Sequence, residues 1–455
     1  MIFYDFFRIS KPSKIKVKDT DAADTYKSLR AKTFWGATAA YCLFYVCRMA
    51  MSVVKQPIID ENILTPGQIG IIGSAMLFIY AIGKFVNGFL ADYCNIRRFM
   101  ATGLLLSALL NLIMGLLGLL KGFIGFSSAI LLIVFSITWG INGWMQSMGA
   151  PPGVISLSRW FPLSKRGTYY SIFCATPYFG KFLSLIMTSH IVLLIGWQFG
   201  FIFSAIAGLA GAGIILIFVS DTPESKGLPS VQELSQEKSE KADSMPIKQL
   251  QMAVLKHPGI WIIALSSAFV YITQYAISNW GVLFLQKAKD YSLKDAAFII
   301  GISETVGIIG TVFAGWLSDT VFKGNRLKPV MLCGIMCMCT LALFIFSSGG
   351  MVINIILLSL ASLSIAAVYC IVAGLMALDI VPRKATGAAL GVVGISSYIA
   401  AGIQDIISGY LIEGNMTEAN GYNFTPVASF WLLACLISFL LPIISWKYMK
   451  PRVIE

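Results

Sequence analysis

Gly88-Phe-Leu-Ala-Asp92, followed by Asn95, Arg97 and Arg98, returns 227 residues later as Gly315-Trp-Leu-Ser-Asp319, followed by Asn325, Arg326 and Lys328. A second match, residues 159–167 with 379–387, stands at an offset of 220. Two independent matches at nearly one spacing imply a duplicated unit. In both copies the Gly-x-x-x-Asp closes an apolar stretch. Gly88 and Gly315 are expected to allow close helix contact, and Asp92 and Asp319 to cap the following helix and pair with a loop cation such as Arg97 or Arg326. Breaking and remaking these contacts would accompany rocking of one unit against the other; as fixed ion pairs they would simply brace the loops. On either reading they belong to the architecture and not to a substrate site.

Around these repeats, the 455 residues are 57% apolar and only 12% charged, about half the charged share of a soluble domain. A water-soluble globule cannot be built that way, so most of this chain has lipid as its solvent. Apolar stretches near 20 residues run over 33–54, 69–91, 99–120, 124–148, 168–194 and 199–220, then 259–284, 296–318, 329–346, 352–378, 387–412 and 427–446. The expected fold class is therefore all-α integral membrane, with twelve transmembrane helices in two pseudo-symmetric six-helix bundles. Segment 1–32 precedes a first bundle over 33–220, a polar linker over 221–257 leads to the second bundle over 258–446, and 447–455 form a tail.

Twenty-six of the 34 Lys and Arg fall on the side shared by both termini, and five, Lys55, Lys121, Lys287, Lys289 and Lys294, on the other. Basic loops stay cytoplasmic, which predicts both termini in the cytoplasm and the spans in the cell (inner or plasma) membrane. Anionic lipid and insertion topology then explain the net charge of +12, without a nucleic-acid partner. No cleavable leader is expected. The nine Cys are scattered through apolar runs, with Cys337 and Cys339 on different helix faces, and His190 and His257 stand apart. Neither a metal nor a cofactor is expected. With no Ser-His-Asp set or Walker loop, the chain does not read as an enzyme.

Five residues place a formal charge inside the apolar stretches: Arg48, Lys84, Lys181, Glu304 and Asp405. A charge facing lipid near midplane costs on the order of 3 kcal/mol, so each is a candidate functional group. At about 1.5 Å of rise per residue, Arg48, Lys181 and Glu304 share the central slab, Lys84 lies toward the basic side and Asp405 nearer the other side. Three cations in the first bundle meet no acid there, and such a positive cavity calls for an anion that comes and goes. Arginine offers a planar fork to oxyanions and lysine a point charge, a combination suited to a doubly charged phosphoryl group. The plainer alternatives are a snorkelling Lys84 and a Lys181 paired with Glu304 or Asp405. Tyr41, Tyr45 and Arg48 share one side of the first span, and Tyr80 precedes Lys84 by one turn. Span seven adds Tyr271, Gln274 and Tyr275, and span eleven Tyr398 and Gln404. Phenols beside cations fit a hydrated cavity wall.

Tyr45-x-x-Arg48, Tyr80-x-x-x-Lys84-Phe85-x-x-Gly88-x-x-x-Asp92, Asn142-Gly-Trp-Met-Gln146-x-x-Gly149-x-Pro-Pro152, Asp221-Thr-Pro-Glu-Ser225-x-Gly-Leu-Pro229 and Val321-Phe-Lys-Gly-Asn-Arg326 together resemble the organophosphate:phosphate antiporter family of the major facilitator superfamily, over about residues 32–446. The resemblance implies exchange of inorganic phosphate for glycerol 3-phosphate or a hexose phosphate, by alternating access of one central site, and a monomer is expected. It implies Arg48 as a phosphate-binding arginine, Lys84 as the lysine beside it, Tyr41, Tyr45, Tyr80 and Tyr398 as cavity tyrosines, and Glu304 as an acidic residue of the eighth helix. The sequence also departs from the family. Where the family places a second cation in span seven, six residues before a Trp, this chain has neutral Gln274 before Trp280. Met49 stands where a Lys commonly follows the arginine, and Thr176 where glycerol phosphate carriers resemble a His. Lys181 has no counterpart in the family and is expected to supply the missing charge from span five. Two other classes share this fold: a sensor that binds external sugar phosphate without transporting it, and a carrier of a monocarboxylate or another non-phosphorylated anion. Glu304 and Asp405 leave proton coupling open.

Overall fold

A computed structural model describes residues 2–124, 127–231, 233, 247–323, 325–380, 386–416 and 421–445. The side chains of Asp92 and Asp319 and the surroundings of Gly315 lie outside the described residues. Among the described residues, 12 helices are long and apolar enough to cross a membrane. They are α1 (Asp19–Asp60), α2 (Pro66–Asp92), α3 (Ile96–Ile124), α4 (Ser128–Gln146), α5 (Leu163–Ile195), α6 (Trp197–Phe218), α7 (Pro258–Ala288), α8 (Leu293–Trp316), α9 (Leu327–Phe346), α10 (Met351–Tyr369), α11 (Thr386–Glu413) and α12 (Thr425–Ser445). Local chemistry sets several of their ends. Thr65 and Gln68 form a reciprocal capping box at the start of α2, with Pro66 in the first helical turn. Gly196 adopts φ 101° and turns α5 sharply into α6. Cys337 is buried and Cys339 exposed on α9, as their spacing requires.

One boundary differs from the sequence reading in a way that matters. α1 continues past residue 54 to Asp60, through Pro57. Lys55, assigned by composition to the opposite loop, is instead a helical residue only 2% exposed. A lysine interrupts an apolar pattern without interrupting the helix, because a straight-chain side chain has good helix propensity. Its burial depends on the other bundle.

Helices α1–α6 and α7–α12 pack as two bundles that meet mainly through α2 against α11 and α5 against α8. The side carrying the start of α1 is here called the basic face, and its opposite the far face. Near the far face contact is close: Gly67 lies against Tyr410 and Glu413, Gly70 against the Asp405 backbone, and Gly73 against the Asp405 carboxylate. Toward the basic face, a Cβ added at Gly88 on α2, or at Gly391 or Gly394 on α11, would meet nothing within 4 Å. At these glycines α2 and α11 touch toward the far face and leave open space toward the basic face. In this conformation Gly88 does not make the close helix contact its motif predicts. Gly73→Ala is expected to wedge α2 away from α11 at a cost of about 1–3 kcal/mol, measured as a lower thermal unfolding temperature in detergent.

Among the described residues, asparagines and arginines brace the repeated loops. The Asn95 side chain accepts the Arg98 N–H at 3.0 Å, and the Asn325 side chain accepts from Leu327 and Lys328 at 3.1 and 3.2 Å. These asparagines cap the helices that follow; the capping role expected of Asp92 and Asp319 falls on side chains outside the described residues. Arg326 donates to Asp379 at 2.8 Å and to Ser318 at 2.7 Å, while Arg97 donates to the Leu216 carbonyl. Arg159 of the first bundle pairs at 2.6 Å with Asp221, the first residue of the linker.

Candidate substrate site

Arg48 projects from the middle of α1 toward the other bundle and is 7% exposed. Its Nη2 donates to the Tyr275 hydroxyl of α7 at 3.1 Å, so the first and second bundles are joined through it. The guanidinium carbon lies 4.2 Å from the Tyr80 ring centroid, 5.6 Å from Tyr45 and 5.8 Å from Tyr398. Lys84, exposed toward the open cavity, holds its Nζ 4.9 Å from the Tyr398 ring. Among the described residues no carboxylate comes within 4.0 Å of either cation. Aromatic faces make the empty site tolerable, each partly desolvated cation–π contact contributing about 0.5–2 kcal/mol. The two positive charges themselves remain uncompensated. Of the five guanidinium N–H donors, one is engaged by a protein side chain among the described residues.

The wall is a sheath of phenols. Tyr80 and Tyr398 lie 4.8 Å apart by centroid, Tyr271 stacks on Tyr275 at 5.7 Å, and the Tyr271 hydroxyl donates to that of Tyr369 at 3.4 Å. Tyr45 of α1, Tyr80 of α2, Tyr275 of α7 and Tyr398 of α11 thus surround one guanidinium, with Tyr369 of α10 reached only through Tyr271. Tyr41 sits one layer back: it stacks on Phe173 at 4.7 Å and meets Tyr45 edge-on at 5.5 Å.

The structure corrects two of the expected roles. Lys181 is not a free cation facing Arg48, because its Nζ lies 3.0 Å from Glu304 and 3.3 Å from the Ser278 hydroxyl, which itself donates to Glu304. Its charge is spent on Glu304, the plainer of the two readings, and is not left to replace the cation absent at Gln274. Gln274 lines a small cavity between the bundles, with Thr273 of α7, Glu304 of α8 and Tyr178 of α5. Residues Arg48, Lys84, Tyr45, Tyr80, Tyr275 and Tyr398 come together, while Lys181, Glu304 and Gln274 occupy an adjoining compartment. Sequence reading missed Tyr369 and the partner of Asp405. That partner is Lys55, 3.7 Å away, and its signal was the seven-residue spacing from Arg48, which puts both on one helix face.

Comparison with known proteins agrees with this geometry. Residues 37–404 match the description of the Major Facilitator Superfamily. The chain is 30% identical over 443 residues to a glycerol-3-phosphate transporter of Bacillus subtilis, covering 95% of this chain and 96% of that protein. It is 30% identical over 466 residues to a probable hexose phosphate transport protein of Chlamydia pneumoniae, covering 98% and 97%. In three dimensions it resembles an inward-facing, unoccupied bacterial homologue of the human lysosomal transporter Spinster, with a TM-score of 0.69, 15% identity and 93% and 96% of the two chains covered. Near-full-length likeness, on a fold with twelve membrane-spanning helices among the described residues, identifies the chain as a multi-pass transporter of the major facilitator superfamily, in its organophosphate:phosphate antiporter family.

Proposed function

We propose that the protein exchanges a phosphorylated metabolite, a hexose phosphate or glycerol 3-phosphate, for inorganic phosphate by alternating access. It would act as a monomer in the cell membrane, with the basic face and both termini in the cytoplasm. One observation carries the reading: Arg48 is buried at the junction of the bundles with phenols around it and, among the described residues, no carboxylate within 4.0 Å. A phosphoryl group that replaces water there takes the guanidinium fork and the Lys84 ammonium from the first bundle and hydroxyl donors from Tyr275 and Tyr398 of the second. It therefore binds better when the bundles draw together, and that differential affinity is what shifts the conformational equilibrium. The empty site, with two unneutralised cations, is costly to seal away from water, which couples passage in one direction to return in the other.

Proteoliposomes loaded with phosphate provide the test. Counterflow is expected with a hexose phosphate or glycerol 3-phosphate outside, competed by inorganic phosphate, and none with a monocarboxylate. Monocarboxylate flux insensitive to phosphate would sink the reading, and binding without flux would point to a sensor. Within this assay Tyr275→Phe removes the hydrogen bond to Arg48 and is expected to raise the phosphate KM about fivefold, equivalent to ~1 kcal/mol.

A further inference from the structure

We propose that Lys55 is an oxyanion-binding residue of the vestibule at the far face, masked by Asp405 while the cavity is open to the basic face; the inference rests on the exchange reading above. Lys55 follows Arg48 by seven residues on α1, which places it on the same helix face about 10 Å nearer the far face. It is 2% exposed, yet its Nζ makes no hydrogen bond among the described residues. The ammonium lies 3.7 Å from Asp405 Oδ1 and 3.6 Å from the centroid of the Trp280 ring. Asp405 is better served, since its Oδ1 also accepts the Trp280 indole N–H at 2.6 Å and its carboxylate rests on Gly73.

The partition of these groups between bundles gives the arrangement its consequence. Lys55 belongs to the first bundle, Trp280 and Asp405 to the second. When the far side opens, Asp405 leaves with its indole donor, whereas Lys55 loses its counter-ion and its aromatic cover together. A desolvated ammonium without an acceptor then lines the wall that leads to Arg48, and a phosphoryl oxyanion supplies what it lacks. Nearer the surface, Lys287 and Asp60 form a second pair between the bundles at 2.8 Å, with side chains 25% and 52% exposed. Water already solvates that pair, so its separation exposes no comparable unmet charge. Lys55 also gives the pathway a further buried cation, while the span-seven position six residues before Trp280 is the neutral Gln274. An anion arriving from the far side would meet Lys55 first and Arg48 two turns later, on a single helix.

The experiment compares phosphate exchange in membrane vesicles sealed with either face outward. Lys55→Met is expected to raise the phosphate KM about tenfold at the far face and to leave that at the basic face within about twofold. The swap Lys55→Asp with Asp405→Lys keeps an ion pair between the same helices and guards against a folding failure of the single variant. It is expected to show the same one-sided rise. Wild-type KM on both faces of the swap, or an equal shift on both faces of Lys55→Met, overturns the proposal, because a purely structural pair behaves that way. If the unmodified protein exchanges phosphate and Lys55→Met does so unaltered, this inference alone falls; absence of phosphate exchange by the unmodified protein removes the exchange reading and this inference together.

Discussion

Arg48→Lys is expected to lower kcat/KM for phosphate exchange by at least about 100-fold, or ~3 kcal/mol, although the charge is retained. The loss comes from geometry. A guanidinium reaches the Tyr275 hydroxyl at 3.1 Å with one N–H and presents the remaining fork to an oxyanion, while its plane rests 4.2 Å from the Tyr80 centroid. An ammonium on a shorter reach can satisfy the tyrosine or the anion, but it has no planar fork to engage two phosphoryl oxygens at once. Arg48→Gln should do no better. Initial rates of phosphate self-exchange in proteoliposomes, with protein incorporation checked separately, are the measurement; near-normal exchange in Arg48→Lys would mean that phosphate is recognised elsewhere.

The second large effect concerns stability. Glu304→Gln leaves the Lys181 ammonium, 13% exposed, with no negative partner among the described residues, and only the Ser278 hydroxyl 3.3 Å away. Breaking one side of a buried ion pair costs about 3–5 kcal/mol, because the remaining charge stays desolvated. The expected result is a marked drop in thermal unfolding temperature in detergent. Adding Lys181→Gln removes the stranded charge and should recover most of the loss. A single variant as stable as the unmodified protein would show that α5 and α8 do not depend on this pair. The double variant further separates packing from transport: because the pair lies beside the Arg48 ring and not in it, phosphate exchange should survive in the repaired protein.

Much of this protein can be read before folding, and the physical reasons are local. Apolar runs of bilayer length leave a helix no alternative in lipid, where every backbone group must be bonded within its own segment. The repeat of Gly88–Asp92 at Gly315–Asp319 is likewise visible in one dimension. Arg48 and Lys84 stand out because a charge in hydrocarbon demands an explanation whatever its neighbours. Spacing on a single helix even places Tyr80 beside Lys84 and Tyr45 beside Arg48.

Partnership across helices follows a different logic. Whether a lysine is a free ligand, one half of an ion pair or a loop residue depends on which helix faces it, and that is set by how two bundles dock. So Lys181 is committed to Glu304, Lys55 to Asp405, and Arg48, among the described residues, to tyrosines. The amino-acid order by itself established the twelve spans and five of the charges within them, Lys55 being missed, since these follow from transfer energies of segments considered one at a time. Only the tertiary structure decided which of those charges are already neutralised, because Coulomb attraction and desolvation act over a few ångströms between helices that lie a hundred or more residues apart in the chain.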